Sequence, residues 1–271
     1  MFNGLPYLRD LVAALLAQDY QNLEIIFSDG GSSDGSLDYL ATIDDERVRV
    51  ITAPKGTTAA ANWTAATQAA QGAFIKLICQ DDLIDATTIS RQVADLQNHP
   101  NAVMAIAPRQ IIDARGGTLA ARRGCQGLAP GEHHGTEVMR RCYLQGTNVI
   151  GEPLAVLFRR DALLQSMPWD DSNPLMLDVS MYAKVAPLGT IVVRDDVVGA
   201  FRVSASSWST RLARVQRQQF ASWQREYATS LASQPARFDQ MRARAGMERQ
   251  AFMRRLAYRV LRLRGALKVS S

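Results

Sequence analysis

The chain has 271 residues, 47% of them hydrophobic, enough for one large α/β core or two small ones, and one domain followed by a tail fits the pattern best. Its three cysteines, Cys79, Cys125 and Cys142, are scattered without a Cys-x-x-Cys pair, which excludes a disulfide framework or a zinc knuckle and points to a reducing, cytosolic setting. The net charge of +5 is unevenly spread: residues 211–271 hold 14 Lys/Arg against 3 Asp/Glu, so this tail stands at +11 and residues 1–210 at −6.

Along the first 110 residues, helix-period and strand-like segments alternate as in βαβ units with a mostly parallel sheet. Leu8, Leu11, Val12, Leu15 and Leu16 fall at helical spacing, Leu23 to Ser28 reads as a strand, and Leu37, Leu40 and Ile43 mark a short helix. A strand over Val48–Ala53, an alanine-rich helix over Thr58–Ala70, a strand over Phe74–Cys79, a helix over Ala86–Asn98 and an apolar stretch over Val103–Ile112 follow. Between Asp113 and Gly135 the pattern lapses into a loop or lid. Periodicity returns with Glu137–Leu144, a strand over Leu154–Phe158, a helix carrying Asp178–Val185 and a strand over Thr190–Val203. Trp63, Met104, Met139 and Trp169 read as core.

No run reaches the roughly 18 apolar residues of a membrane span, and Met1 leads into Phe2-Asn3-Gly4 without a signal peptide, so a soluble or peripheral protein is expected, cytoplasmic or on the inner face of the membrane. The tail sets Phe220, Trp223, Tyr227, Phe252, Leu256 and Val260 among arginines. That mixture suits peripheral contact with anionic lipid. Ordinary helices whose arginines pair with the acidic body are the bland alternative, and nucleic acid ranks last.

Two segments concentrate polar chemistry at strand ends. The strand ending in Ile78-Cys79 runs into Gln80-Asp81-Asp82, and adjacent carboxylates persist where a cation or a proton-transfer task compensates them. The alternative is a polar loop; Asp85 reads as the cap of the following helix. Upstream, Leu23-Glu24-Ile25-Ile26-Phe27-Ser28-Asp29-Gly30-Gly31-Ser32-Ser33-Asp34-Gly35-Ser36 puts an acid, glycines and hydroxyls at the carboxyl end of a strand, where open α/β sheets bind ligands. It reproduces neither Gly-x-Gly-x-x-Gly nor a Walker loop, since Ser36-Leu37 stands where Lys-Ser/Thr is required. A plain turn with Asp34 as helix cap is the competing reading.

Asn3-Gly4-Leu5-Pro6-Tyr7-Leu8, the Glu24–Ser36 run, the helix of Asn62, Gln80-Asp81-Asp82, Gly151-Glu152-Pro153 and the Asp178 helix, in this order and spacing, resemble a family 2 glycosyltransferase of the GT-A fold over roughly residues 2–210. The resemblance implies a Rossmann-like, mostly parallel sheet flanked by helices, with a domain over residues 1–210 and a basic helical extension over 211–271. It implies a metal-dependent, inverting transfer of sugar from a nucleoside-diphosphate donor, UDP-linked by expectation, to a hydroxyl of a glycan or lipid-linked acceptor, as in cell-envelope polysaccharide synthesis.

Carried over by position, Asp29 would receive the nucleotide base, with turn stabilisation as its alternative role. Asp81 would bind Mg²⁺ or Mn²⁺ at the donor diphosphate with Asp82 beside it, because hard cations take oxygen ligands. Asp178 would be the general base, or else a helix cap. Glu152 would meet the acceptor, or else pair with Arg159 or Arg160. Arg202, in Phe201-Arg202-Val203-Ser204-Ala205-Ser206-Ser207-Trp208-Ser209, would contact the diphosphate. Cys79 stands where many members carry an Asp, and Ser204 where relatives carry a His-like residue. His133-His134 lacks a spaced third ligand and reads as solvent-exposed.

The family's usual opening apolar strand, central in the sheet, is expected to be missing, since Met1-Phe2 precedes Asn3 directly. This motivates a second expectation, a truncated or degenerate relative that binds nucleotide without turnover. A nucleotidyltransferase would need a Gly-rich loop with Arg and Lys after its first strand, and nothing near Asn3 resembles one.

Overall fold

The computed structural model describes residues 1–204 and 215–263. The end of the Phe201–Ser209 motif and the last part of the basic tail lie outside the described residues.

Helix α1 (Leu5–Leu16) starts with Pro6 in its first turn, where a missing N–H breaks no helical bond, and buries Tyr7, Leu8, Leu11, Val12 and Leu15 along one face. Strand β1 (Ile25–Asp29), helix α2 (Ser36–Leu40) and strand β2 (Val48–Thr52) form a βαβ unit, with Ile25 opposite Val48 and Asp29 opposite Thr52 in parallel register. Thr58 caps α3 (Ala59–Ala69) by accepting from the Ala61 N–H at 3.2 Å. Then come β3 (Phe74–Ile75), β4 (Leu83–Ile84), α4 (Thr88–Asn98), β5 (Ala102–Ile106) and β6 (Arg109–Ile112). These are followed by β7 (Thr118–Arg123), β8 (Gly131–His134), α5 (Gly135–Gln145), β9 (Val156–Arg159), α6 (Arg160–Gln165) and α7 (Leu177–Val185). The described chain finishes with β10 (Thr190–Val193), β11 (Gly199–Arg202), α8 (Gln216–Ser230) and α9 (Arg237–Leu263).

The strands are in three groups, β1-β2, β3-β9-β5-β10-β8 and β4-β11-β6-β7. The expectation of a mostly parallel sheet is corrected: β1-β2, β5-β10 and β6-β11 are parallel, whereas β3-β9, β5-β9, β8-β10, β4-β11 and β6-β7 are antiparallel. The sheet is mixed because short returns such as Asp113–Gly117 join neighbours directly, which only antiparallel strands permit.

Four segment boundaries also change. The 103–112 stretch breaks at Ala107-Pro108 into β5 and β6, and the 190–203 stretch breaks into β10 and β11; in each case the two halves enter different sheets. The 113–135 segment is not simply a lid. It contains β7, a hairpin partner of β6, and β8, which places His133 opposite Ile191 and exposed His134 opposite Thr190. The strand expected over Phe74–Cys79 forms a ladder only at Phe74–Ile75. Beyond it side chains make the links: Lys76 Nζ donates to Gln92 Oε1 and the Val156 carbonyl, while the Gln80 amide takes the Phe2 N–H and donates back to its carbonyl. Met1 itself pairs alongside β1, its amino group donating to the Ser28 carbonyl and its own carbonyl accepting from the Gly30 N–H.

The main core joins Met104, Ile106, Phe158, Leu163 and Tyr182 to Met139 of α5 and to Phe220, Trp223 and Tyr227 of α8. Met104, Met139 and Trp169 are buried as the sequence suggests, and Trp63 packs at their edge, its ring 5.1 Å from that of Trp169 in a T-shaped contact. A second core gathers α1, β1 and Leu40 with Ile84 and Leu154.

Candidate functional site

Asp82 ends the Gln80-Asp81-Asp82 run immediately before β4, and the antiparallel β4-β11 pair brings it to Arg202. That pairing depends on Gly199: a Cβ there would lie 2.1 Å from the Leu83 carbonyl oxygen. The Asp82 carboxylate is completely buried; Oδ1 accepts from the Arg202 backbone N–H at 3.2 Å, and Oδ2 has no hydrogen-bond partner among the described residues. Burial, and then the neighbouring charge of Asp81, holds its carboxyl well above the usual carboxylate range. A buried acceptor without a donor is costly, and here it lies within reach of a second carboxylate's charge, that of Asp81. Asp81 is partly exposed, and its carbonyl accepts from Arg202 Nε at 3.0 Å.

Arg202 itself is buried. Its guanidinium lies over the Tyr7 ring at 4.5 Å and also donates to the Ala114 carbonyl at 3.4 Å, so these described contacts brace the acidic turn from behind. Cys79 sits in the same cluster, where burial and then the charges of Asp82 and Asp81 push its thiol well above its ordinary value. The thiol is therefore neutral near pH 7.

Asp178 lies in the first turn of α7 and is partly exposed. Its Oδ2 accepts from Asn148 Nδ2 at 2.9 Å and its Oδ1 from the Val179 N–H at 2.7 Å; the helix has no side-chain cap at its N-cap position, Met176. Burial, and then the charge of Glu152, pushes its carboxyl up to about 7. Asn148 orients this acid. Its Oδ1 accepts from the Ile150 and Gly151 N–H groups, and Nδ2 also donates to the Gly151 carbonyl, which takes a further bond from the Tyr182 hydroxyl at 3.1 Å.

Glu152 is in an ion pair, but with Arg109 and not with Arg159 or Arg160. Those two arginines are turned to backbone carbonyls, Arg159 to Ala102 and Leu96 and Arg160 to Ala70. Arg109 is nearly buried, and its charge is felt by Asp82 and Asp178 as well. Arg109 and Asn148 are site residues the motifs did not indicate. The Pro108-Arg109 break within an apolar run and the Asx-turn pattern of Asn148 ahead of Gly151 were their only signals.

The Asp29 carboxylate is buried at the end of β1 and closes the turn that follows, accepting from the Gly31 and Ser32 N–H groups, each at 3.0 Å, and from the Ser32 hydroxyl. Asp34 accepts from the first N–H of both α1 and α2, Leu5 at 2.9 Å and Ser36 at 3.0 Å, although the N-cap residues of these helices are Gly4 and Gly35. Asp85 does not cap α4 with its carboxylate: the N-cap residue is Thr87, and it is the Asp85 carbonyl that accepts from the Thr88 N–H. The structure thus links Cys79, Asp81, Asp82, Glu152 and Asp178 in one electrostatic cluster, with Arg109 acting on Asp82, Glu152 and Asp178. Asp29 occupies the neighbouring strand end.

A mixed α/β sheet with acidic strand ends of this kind is the GT-A fold of glycosyltransferases. TarS residues 1–349 from S. aureus superpose with a TM-score of 0.68 at 14% identity, over 93% of this chain and 70% of that one. The same S. aureus fragment in complex with UDP-GlcNAc gives 0.62 at 15% identity, over 81% and 64%. The mannosyltransferase PcManGT from Pyrobaculum calidifontis, in complex with GDP-Man and Mn²⁺, gives 0.61 at 16% identity, over 93% and 67%. Residues 1–165 match glycosyl transferase family 2, and the chain belongs to that family. An uncharacterized glycosyltransferase of Haemophilus influenzae is 33% identical over 102 residues, 36% of this chain and 41% of that protein's length.

Proposed function

We propose that the protein transfers a sugar from a nucleoside-diphosphate donor to a hydroxyl of a glycan or lipid-linked acceptor, with inversion at the anomeric carbon. The observation that carries this reading is the division of labour between two carboxyls: Asp178, tuned to about 7 and partly exposed, and Asp82, buried with one oxygen unpartnered. A carboxyl near 7 is matched to general-base work at neutral pH, where such proton removal contributes about 10² to 10⁴ in rate. Asp178 Oδ takes the proton of the acceptor hydroxyl as its oxygen bonds to the anomeric carbon. The bond from that carbon to the diphosphate breaks, and the electron pair leaves with the nucleoside diphosphate. Asn148 holds the carboxylate in place, and Glu152, fixed by Arg109, presents its remaining acceptor capacity to the incoming sugar.

The acidic turn fits Mg²⁺ or Mn²⁺. Among the described residues no three His, Cys, Asp or Glu side chains gather to hold a metal alone. Asp81 and Asp82 would therefore supply the protein's share, with donor phosphate oxygens completing the shell, a usual arrangement for such cations. When bound, the ion would neutralise charge on the departing diphosphate. On this reading Asp29 faces the nucleotide base and Arg202 supports the diphosphate through the turn it braces. UDP is the expected nucleotide, and residues 1–210 form the transferase unit with 211–271 as its extension. Cys79 favours a second reading, donor binding without transfer.

Calorimetry with UDP and GDP, with and without Mn²⁺, separates these. The proposal expects metal-dependent binding of one nucleotide, weakened at least tenfold by Asp81→Ala, together with donor-dependent transfer that Asp178→Asn abolishes while leaving nucleotide affinity within about twofold. Metal-independent binding that ignores Asp81→Ala would overturn the donor-site assignment. Binding without any transfer to a panel of acceptors would leave the second reading standing.

A further inference from the structure

Helix α9 presents two faces of opposite character. Its inward face packs Ala243 and Met247 against α5 and α8, and Gln224 Nε2 of α8 donates to the Tyr143 and Ala243 carbonyls, at 2.9 and 3.1 Å, tying the three helices together. The approach is close at one crossing: a Cβ on Gly146 would lie 2.1 Å from the Met247 nitrogen, and one on Gly246 2.6 Å from the Leu144 carbonyl oxygen. The outward face carries Phe238, Met241, Phe252 and Leu256, which are 72, 70, 64 and 49% exposed, with Val260 continuing the row. Their spacing, with Ala245 and Arg249 filling the intervening turns, keeps them in one stripe along the helix.

Eight arginines lie on α9 against two acids. Both acids are already engaged by arginines of neighbouring helices, Asp239 with Arg140 of α5 and Glu248 with Arg217 of α8. Arg242, Arg249, Arg255 and Arg259 stand beside or within the apolar stripe. A large exposed apolar row calls for a partner, and a second copy of this helix would bring Arg249 and the flanking arginines of both copies together at the seam. Duplex nucleic acid would answer the arginines but would leave Phe252, Leu256 and Val260 in water. No helix among the described residues is long and apolar enough to cross a membrane. We infer that α9 lies along an anionic lipid surface, its Phe238–Val260 stripe in the acyl boundary and its arginines among the headgroup phosphates.

This docking stands independently of the transfer reading. The helix that would touch lipid is locked at Gly246 onto the Leu144–Gly146 turn, two residues from Asn148, which bonds Asp178, so the surface would hold the first turn of α7 at a fixed height.

The test is vesicle co-sedimentation of the full chain. Vesicles of phosphatidylcholine with about one third phosphatidylglycerol should bind it, and pure phosphatidylcholine should bind it at least tenfold less. Phe252→Ser with Leu256→Ser should cut anionic-vesicle affinity by about tenfold or more, and Arg249→Gln, Arg255→Gln and Arg259→Gln by about fivefold per charge. All five side chains are exposed, so an unchanged thermal transition is the folding control. Affinity that ignores lipid charge, or that survives both sets of substitutions, would overturn the inference. So would a dimer in sedimentation that Phe252→Ser with Leu256→Ser dissociates in the absence of vesicle binding, or binding to an oligonucleotide duplex in preference to anionic vesicles.

Discussion

Asp178 and Asp82 are both denied their usual charge, yet they are prepared for different tasks. Asp82 is sealed, and one oxygen lacks a hydrogen-bond partner among the described residues, the position that the proposed metal would occupy. Asp178 keeps some exposure and two donors, so its carboxyl settles near 7 rather than far above it. The rate of transfer should therefore fall as pH drops through about 7, with unit slope, because the ionised form is the base. Asn148 donates to that ionised form and so lowers the pKa. Asn148→Ala should move the midpoint upward and lower the rate about tenfold at pH 7, measured by pH–rate profiles of both proteins. Stability runs the other way. The native carboxyl holds its proton where the unfolded one has lost it, so this residue's contribution declines as pH rises from about 4 to about 7. Asp178→Asn should flatten that decline in thermal melts across the same window. A helix cap would show neither behaviour.

At the level of elements, the βαβ opening and α3 were legible because each is governed by local rules, the 3.6-residue period of Leu8, Leu11, Val12 and Leu15 and the alanine-rich run after Thr58. What was hidden depended on partners far away. β4 is only two residues long and carries no periodicity; it exists because β11 pairs with it across the chain. β7 is largely exposed, so it lacks the alternation that marks a half-buried strand, although Gly116-Gly117 between β6 and β7 is a hairpin signal that a reading of loop content absorbed. The acids of the site were visible as motifs, whereas Arg109 had only the break at Pro108 inside an apolar run to mark it, and its role depends on Glu152, a partner far along the chain. The β4-β11 contact is the element on which the acidic turn depends. Gly199→Ala would force the new methyl into the Leu83 carbonyl at a positive φ of 155°, and should cost about 2–3 kcal/mol. Its diagnostic effect is a loss of metal-linked nucleotide binding larger than the loss of melting temperature, because Asp82 is displaced before the core is.

Over the whole molecule, the family match ends at residue 165, but the principal core does not. Phe220, Trp223 and Tyr227 of α8 and Met247 of α9 share one cluster with Met104, Phe158 and Tyr182, and the Trp223 ring stacks on Tyr227 at 5.3 Å. The basic extension therefore uses one side of its helices to complete the core while the outward stripe of α9 stays exposed. Trp223→Ala puts the coupling to a test. Removing a buried indole costs about 3–5 kcal/mol. If the extension and the sheet fold as one unit, then in a Trp208→Phe background, where Trp63 and Trp169 are the remaining indoles, circular dichroism, which follows all helices, and their fluorescence, which reports the sheet side, should show the same lowered midpoint. An extension folding by itself would lose its helical signal first and leave the fluorescence transition where it was.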